Sequence, residues 1–335
     1  LNYQDIKISR NQQMLHKAVI IDGFPGCGKT MLSPIISSFE RVEIMQYASL
    51  IENICELSML NKIEDDVAIA IIRMNADLLI YNVSMGRHSN CRPSDLSSIF
   101  KHRPLEHIKR MLSPGDKLIP EKIAENKPIL HITSHMLLPS HNLLFKALDE
   151  KLIFYEVVRH PLYMIIQHEK NFEMFNSART QHVQYSINNN EYTFFTNGWE
   201  EIFNKSNNFE KAIFHMKWYF DHLFNLKNEK VRIIPFEVFV KEPSSYIENI
   251  SMDLESPIDR KVEKEMKRQK VPRQLLGDGP DLKIYKRCGW EPPKYFSEER
   301  ELKARRELVA MNVNKNALDI LDSLSLKYEQ VFLGN

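Results

Sequence analysis

The chain has 335 residues, of which 43% are hydrophobic and 27% are charged, and its formal net charge is +1. These values are typical of a globular protein with one large core, and the small net charge argues against a general nucleic-acid-binding protein. No apolar run reaches the length of about 20 residues that spans a bilayer, and the first residues lack a signal-peptide core. We therefore expect a cytoplasmic protein without a membrane span.

The first predicted strand, 18–22, leads into a glycine-rich turn and then into a helix-forming segment. The turn matches the full phosphate-binding pattern Gly-x-x-x-x-Gly-Lys-Thr, with the residues Gly23, Phe24, Pro25, Gly26, Cys27, Gly28, Lys29 and Thr30. Glycines let backbone N–H groups converge on an anion, the helix start adds its positive dipole end, and Lys29 adds a charge. This segment predicts a site for a nucleotide-like phosphate. We expect Cys27 to be a small loop residue without a redox role.

Apolar runs that read as strands alternate with helical patterns along the rest of the chain. The further predicted strands are 42–46, 128–133, 152–158 and 231–235. The predicted helices are 48–60, 65–80, 95–112, 199–205 and 209–227, with two more in 297–330. This alternation predicts an α/β fold of three layers, with a parallel sheet of about five strands and flanking helices.

We expect a single domain over 1–335, because no flexible linker separates two cores. Within it, we predict a helical insertion at about 48–125 and a C-terminal loop plus helices at about 269–330. The polar stretch 178–198 is typical of a lid, and the Gly- and Pro-rich stretch 269–297 is typical of a covering loop. The four cysteines have no zinc-like spacing, so no metal site is predicted.

The strand 152–158 leads into Arg159-His160-Pro161 and then into a helix. This segment resembles the second nucleotide-binding signature of sulfotransferases that use 3′-phosphoadenosine-5′-phosphosulfate (PAPS). In that family, a strand ends in Arg-Asn-Pro and a Ser follows eight residues after the Arg, and both side chains bind the 3′-phosphate. Here Arg159 and Pro161 match, His160 replaces Asn, and Gln167 occupies the Ser position. A Gln amide can still donate a hydrogen bond to phosphate.

Two further segments resemble the same family. Residues 128–139 are similar to its strand ending in Lys-Thr-His, and His135 falls on the position of the catalytic base. His131, earlier on the same strand, is the competing candidate. Residues 233–243 resemble the family's structural strand and Tyr-Glu segment, so that the resemblance extends from residue 17 to about 252.

The resemblance implies a transferase that moves a sulfuryl group from PAPS to a hydroxyl or amine of a small-molecule or glycan acceptor. The 5′-phosphosulfate would lie in the loop Phe24–Thr30, and the 3′-phosphate would lie on Arg159 and Gln167. His135 would deprotonate the acceptor, and Lys29 would stabilise charge on the leaving oxygen. The family's C-terminal Arg-Lys-Gly loop has two candidate counterparts, Arg273 and 286–290.

A Mg-ATP-dependent small-molecule kinase is the alternative, because the phosphate loop has the residues of a kinase loop. Such an enzyme needs a carboxylate at a strand end to hold Mg²⁺. Asp22 precedes the loop and Glu156 lies inside its strand, so neither fits well, and this favours the sulfotransferase, which needs no metal. A non-catalytic nucleotide-binding protein is a third reading. The acceptor and the oligomeric state stay open.

Two other features have a weaker link to function. The basic segment 87–110 is typical of a solvated helix face, although it is also a candidate for acceptor binding. Trp290, in a loop bounded by glycine, is a candidate for ligand contact.

Overall fold

The computed structural model describes residues 6–175, 180–280 and 291–334. The predicted α/β class is confirmed, since helices flank a central parallel sheet. The strands are β1 (Lys17–Asp22), β2 (Ile129–Thr133), β3 (Leu152–Val158), β4 (Gln184–Ile187), β5 (Asn190–Thr193) and β6 (Val231–Pro235). Within the described residues the central sheet has four strands, in the order β2-β1-β3-β6. Strands β4 and β5 form a separate antiparallel hairpin.

The predicted strand 42–46 is not a regular strand, so the expectation of about five strands is corrected to four. The segment lies beside β2 and makes two isolated parallel bridges, Val42 with Ile129 and Gln46 with Ile132. Between the two bridges the segment advances by four residues, from Val42 to Gln46, whereas β2 advances by three, from Ile129 to Ile132. One extra residue of this kind disrupts a ladder as a β-bulge does, which explains why apolar residues did not yield a continuous strand.

The helices account for most of the remaining described residues. In chain order they are α1 (Lys29–Ser38), α2 (Ser49–Met59), α3 (Asp65–Met85), α4 (Pro104–Leu112), α5 (Ile119–Asn126), α6 (His141–Leu148), α7 (Pro161–Phe175), α8 (Glu200–Lys205), α9 (Asn208–Phe224), α10 (Phe236–Lys241), α11 (Ser244–Leu254), α12 (Arg260–Arg268), α13 (Glu298–Ala310) and α14 (Lys315–Tyr328). The two helices predicted in 297–330 are thus confirmed, and α3 runs five residues beyond its predicted end.

The prediction of one helix over 95–112 is wrong. The segment contains a short 3₁₀ turn, Ile99–Lys101, and α4 begins only at Pro104. Arg103, directly before α4, has a φ of +45°, which interrupts a helical backbone. Proline is favoured in the first turn of a helix, because its missing N–H has no helical partner there.

The core lies on both faces of the sheet. Val19, Ile20 and Ile21 of β1 are fully buried, as expected for a central parallel strand that helices cover on both sides. Among the described residues, α3 is the one helix long and apolar enough to cross a membrane. It packs against α2 and α6, and its residues Ile72 and Ile80 belong to the core.

The carboxyl ends of the four strands meet at one edge of the sheet. The phosphate loop follows β1, His135 lies two residues after β2, Arg159 follows β3, and Phe236 follows β6. In open parallel sheets, ligands bind in the crevice outside these ends. This edge is therefore where the candidate site is sought.

Candidate active site

The phosphate loop has the backbone shape that its glycines allow. Gly26 and Gly28 have φ values of +89° and +116°, in the region that disfavours residues with a Cβ atom. A Cβ atom at Gly28 would overlap the Phe236 ring, so a glycine is needed there for space as well. Helix α1 begins at Lys29, and no side chain caps its first turn. Its N-terminal N–H groups, which lack helical partners, therefore suit an anion.

A cavity of about 580 Å³ lies against this loop. It is lined by residues predicted from separate segments of the sequence, namely Pro25, Gly26, Gly28, Lys29, Thr30, His135, Arg159 and Gln167. Gly23, Phe24 and Cys27 belong to the same loop but do not line the cavity. The Phe24 ring packs on His168 in the core, with 4.3 Å between ring centroids. Burial raises the pKa of the Cys27 thiol to about 11, in keeping with a non-redox role.

Lys29 is buried and bonded to its own loop. Its Nζ donates to the carbonyl oxygen of Gly23 and, at 3.3 Å, to that of Phe24. These contacts hold the ammonium at the base of the cavity. An anion bound in the loop would be a stronger hydrogen-bond partner for the Lys29 ammonium than these carbonyl oxygens, because a hydrogen bond between two charged groups is stronger than one to a neutral acceptor.

Arg159 is a buried cation with incomplete hydrogen bonding. Its Nη1 donates to Gly26 O at 3.1 Å, and its guanidinium carbon lies 4.3 Å from the centroid of the Phe236 ring. Its buried Nε has no hydrogen-bond partner among the described residues, and Glu237 is 4.0 Å away. Burial lowers the pKa of Arg159 from its ordinary value, because the cation is poorly solvated. A buried, under-bonded guanidinium at a cavity wall suits an anionic ligand.

Gln167 and Arg273 flank Arg159 at the same end of the cavity. The Gln167 Oε1 lies 2.9 Å from the point where a Cβ atom on Gly26 would stand, so the amide lies over the loop. The backbone N–H of Arg273 donates to Val240 O at 2.8 Å, and its guanidinium carbon lies 5.4 Å from the Phe236 ring centroid. Of the two candidates for the C-terminal loop, Arg273 thus lies at the cavity. The other, 286–290, which includes Trp290, falls outside the described residues.

Glu237 occupies a structural position beside Arg159. It accepts hydrogen bonds from the backbone N–H of His160 at 3.1 Å and from the hydroxyl of Tyr328 at 2.6 Å. The ring of His160 in turn lies 3.0 Å from Glu329 through its Nε2. The end of α14 is therefore connected to the segment that positions Arg159.

His135 lines the cavity, and α2 holds it in place. Its backbone N–H donates to Glu52 Oε1 at 2.7 Å, and its Nδ1 lies 3.4 Å from the same oxygen. With Nδ1 directed to Glu52, the Nε2 atom is left for the cavity, and the side chain is 39% exposed. Burial alone would raise the pKa of Glu52, but the hydrogen bonds from His135 outweigh it and lower that pKa. A carboxylate that orients an imidazole in this way favours Nε2 as a proton acceptor.

His131 is removed as a candidate base. It lies within β2, is fully buried, and does not line the cavity. Its Nδ1 is 2.8 Å from the Ser37 hydroxyl, and burial lowers the pKa of the ring to about 3. His131 is a core residue, although its strand position resembled that of a site residue.

Two carboxylates of the sheet are fully buried, Asp22 at the end of β1 and Glu156 inside β3. Asp22 accepts hydrogen bonds from the Ser134 hydroxyl at 2.9 Å and from the Leu138 N–H at 2.8 Å. Glu156, paired in register with Asp22, accepts from the Tyr219 hydroxyl. Burial raises the pKa of both carboxyl groups. Neither of them lines the cavity.

The basic segment 87–110 is largely structural. Arg110 pairs with Glu43 at 2.7 Å, and Arg103 donates to the carbonyl oxygen of Phe39 at 2.6 Å. Of this segment, only Leu96 is among the described residues that line the cavity. Its cations are therefore not placed to bind an acceptor there.

Sequence reasoning missed two carboxylates and one histidine at the His135 end. Glu52 holds His135, and Glu56, one turn further along α2, holds His182, which also lines the cavity. A helix over 48–60 was predicted, and a spacing of four places both carboxylates on one face. Their partners lie far away in the chain, so the sequence carried no signal for the pairing.

No family model and no curated protein matches this sequence. The fold is similar to the sulfotransferase domain from the curacin biosynthetic pathway (11% identity, 89% of this chain and 99% of that chain, TM-score 0.38). It is also similar to the sulfotransferase domain from the Synechococcus PCC 7002 olefin synthase (12% identity, 91% and 98%, TM-score 0.39). A sulfotransferase from Mycobacterium avium matches at 10% identity over 90% and 78% of the two chains, with a TM-score of 0.38.

Proposed function

We propose that this protein is a sulfotransferase that takes a sulfuryl group from PAPS and transfers it to a small-molecule or glycan acceptor. The observation that carries the proposal is one cavity at the strand ends. It is lined by Lys29 and the loop glycines Gly26 and Gly28, and also by Arg159, Gln167 and His135. These residues come from three separate segments, namely the phosphate loop and the two segments, around His135 and Arg159, that resemble parts of the sulfotransferase site.

The residues present fit a ligand with two separated phosphate groups. The left-handed glycines and the uncapped start of α1 suit one anion. The buried guanidinium of Arg159, whose Nε has no hydrogen-bond partner among the described residues and lies 4.0 Å from Glu237, suits a second anion, and Gln167 and Arg273 line the same cavity. The 5′-phosphosulfate would be held by the loop, and the 3′-phosphate would be held by Arg159 and Gln167. When bound, PAPS supplies the sulfuryl group, whose bond to the 5′-phosphate oxygen breaks as the bond to the acceptor forms.

The side chains of this chain divide the work of the reaction. His135 accepts the acceptor's proton at Nε2, while Glu52 holds its Nδ1 and stabilises the imidazolium that results. In the unbound protein the Lys29 ammonium donates to the carbonyl oxygens of Gly23 and Phe24. In the reaction it donates instead to the leaving oxygen and stabilises the negative charge that develops there. Holding both reactants in one cavity accelerates the reaction further, because the entropic cost of bringing them together is met on binding.

The His135 end of the cavity suits an acceptor with an apolar body. Tyr47, Leu96 and Phe175 line the wall, and Tyr47 stacks parallel to His135 with 6.4 Å between centroids. Apolar walls with a few directed polar groups are typical of small-molecule sites.

A thermal-shift comparison tests the proposal. We expect 3′,5′-adenosine bisphosphate (PAP) to raise the melting temperature without Mg²⁺, because a ligand that binds the native state stabilises it. Mg-ATP at the same concentration should do less. A clear shift with Mg-ATP and none with PAP would identify the kinase alternative, and the third reading predicts a PAP shift with no turnover of PAPS.

The Lys29→Ala variant is the matched control. It lacks the cation at the base of the cavity, so its response to PAP should fall sharply. An unchanged PAP shift in this variant would mean that PAP binds outside the phosphate loop.

A further inference from the structure

Helix α2 presents two carboxylates to two histidines at the cavity. Glu52 binds the backbone N–H and the Nδ1 of His135. Glu56 binds His182 Nδ1 at 2.6 Å through one oxygen and the Val183 N–H at 2.6 Å through the other. Both rings therefore direct Nδ1 to α2, and both His135 and His182 line the cavity.

The two pairs differ in burial and in length. Glu56 is only 2% exposed, and its contact with the imidazole is 2.6 Å, against 3.4 Å for the contact between Glu52 and His135. A buried carboxylate needs a charged or donating partner, and the Val183 N–H further favours the ionised form of Glu56. Burial raises the pKa of the Glu56 carboxyl, whereas the hydrogen bonds from His182 and from the Val183 N–H lower it. The short contact with His182 and the second donor in Val183 favour an ion pair with the proton on His182.

The surroundings of His182 agree with this assignment. Its ring lies between Phe175 and Phe194, at centroid distances of 5.7 and 5.6 Å. Burial lowers the pKa of His182, but the hydrogen bond and the charge of Glu56, with a smaller effect of Glu52, raise it above its usual value. Since Nδ1 is occupied by Glu56, the proton that remains available to a ligand is the one on Nε2.

We propose that His182 binds the acceptor by donating its Nε2–H to the reacting atom, and that this atom is a hydroxyl oxygen rather than an amine nitrogen. The inference rests on the proposed sulfuryl transfer and narrows its acceptor class. In this arrangement, His182 is the donor to the acceptor and His135 is the base, and Glu56 and Glu52 are their positioning residues.

Lone pairs explain the preference for a hydroxyl group. A hydroxyl oxygen has two lone pairs, so one can attack sulfur while the other accepts from His182. A neutral amine has one lone pair, and the attack uses it, which leaves the His182 donor unsatisfied. In the hydroxyl reaction the O–H proton passes to His135 Nε2, the new S–O bond forms, the bond to the 5′-phosphate oxygen breaks, and His182 keeps its proton. A site built to bond an OH group rejects an analogue that cannot pair with it.

A matched pair of probes tests the inference. 4-Ethylphenol and 4-ethylaniline have the same shape and are both uncharged near neutral pH, and release of PAP from PAPS measures turnover with each. We expect kcat/KM for 4-ethylphenol to exceed that for 4-ethylaniline at least tenfold. His182→Leu should lower turnover of the phenol at least tenfold, and His182→Gln should lower it less, because Gln retains an N–H donor. Faster turnover of the aniline, or an unchanged phenol rate in His182→Leu, would overturn the assignment.

A PAP thermal shift, measured on the same proteins, separates this inference from the function on which it rests. An unchanged PAP shift in both His182 variants shows that they fold and keep the nucleotide site. Absence of a PAP shift in the unmodified protein would instead remove the sulfotransferase proposal, and the acceptor class with it.

A second measurement needs no variant. In ¹⁵N-histidine spectra of the PAP-bound protein, 4-ethylphenol should shift the His182 Nε2 resonance, and 4-ethylaniline should shift it less. Equal shifts from both probes would contradict the donor role.

Discussion

Replacing Arg159 by glutamine removes a buried cation but keeps the three-carbon stem of the side chain and an N–H donor. Arg159 is 4% exposed, and among the described residues its guanidinium gives one hydrogen bond, at 3.1 Å to Gly26 O, so much of its bonding capacity is left for a ligand. A hydrogen bond to a charged group contributes about 1.5–3 kcal/mol. This corresponds to a loss of about 10- to 150-fold in affinity for a ligand that uses it.

The assay compares two nucleotides by calorimetric titration. PAP carries the 3′-phosphate, and adenosine 5′-monophosphate lacks it. In Arg159→Gln, we expect PAP affinity to fall by that factor, while affinity for adenosine 5′-monophosphate changes by less than about threefold, because the glutamine leaves the phosphate loop intact. Equal losses for both nucleotides would refute the reasoning, since Arg159 would then act on the loop and not on the 3′-phosphate.

Arg305 offers a matched control for burial and stacking. It is also buried, and its guanidinium carbon lies 5.2 Å from the Tyr163 ring centroid, as that of Arg159 lies 5.1 Å from it. However, Arg305 pairs with Glu301 at 2.6 Å and does not line the cavity. Arg305→Gln should therefore leave the ratio of the two affinities unchanged, even where it lowers the melting temperature.

Four further outcomes follow from the same geometry. Lys29→Ala should weaken PAP and adenosine 5′-monophosphate together, by about 10-fold or more in calorimetric titration, because both ligands place a phosphate in the loop. His135→Asn should leave PAP affinity within about twofold while turnover of PAPS with an acceptor falls roughly 10²–10⁴-fold, and normal turnover would exclude His135 as the base. Gly28→Ala should abolish the PAP shift and destabilise the fold by more than Gly198→Ala, since both positions have positive φ but only Gly28 lacks room for a Cβ atom. In His131→Asn, the loss of unfolding free energy between pH 7.5 and 5, measured by denaturant titration, should be smaller than in the unmodified protein by about 2 kcal/mol. The sign follows because the folded-state pKa of His131 is about 3. Below pH 6.5 the unfolded chain therefore binds a proton that the folded chain excludes, and this lowers the stability of the unmodified protein. An equal loss of unfolding free energy in both proteins would contradict this assignment.

The four strands of the central sheet and the phosphate loop were predictable because their signals are local, whereas the hairpin of β4 and β5 was not predicted. Continuous apolar runs gave four of the five predicted strands, and the glycine pattern located the loop before α1. The segment 42–46 carried the same apolar signal, but its pairing depends on a mismatch in register with β2, which no local pattern reveals. The helix predicted over 95–112 failed for a local reason instead, since Arg103 and Pro104 mark a boundary that the apolar spacing concealed.

The site was predictable only where a motif covered it. Arg159, Gln167 and His135 line the cavity as the motifs led us to expect, although their roles stay predictions. The residues that hold the histidines could not be found in this way. Glu52 and His135 are 83 residues apart, and Glu56 and His182 are 126 residues apart, so only the folded chain brings the partners together.

The Phe236 ring limits which substitutions this site can accept during evolution. The ring fills the space that a side chain at Gly28 would need, and it lies beneath the guanidinium groups of Arg159 and Arg273. A smaller residue at 236 would open room at position 28 but would remove the surface on which both arginines rest. A change at 28 is therefore opposed twice, by the ring and by the φ of +116°, and a smaller residue at 236 relieves only the first. Comparison of distantly related chains should show Gly28 retained, and Phe236 replaced only where Arg159 and Arg273 are replaced as well.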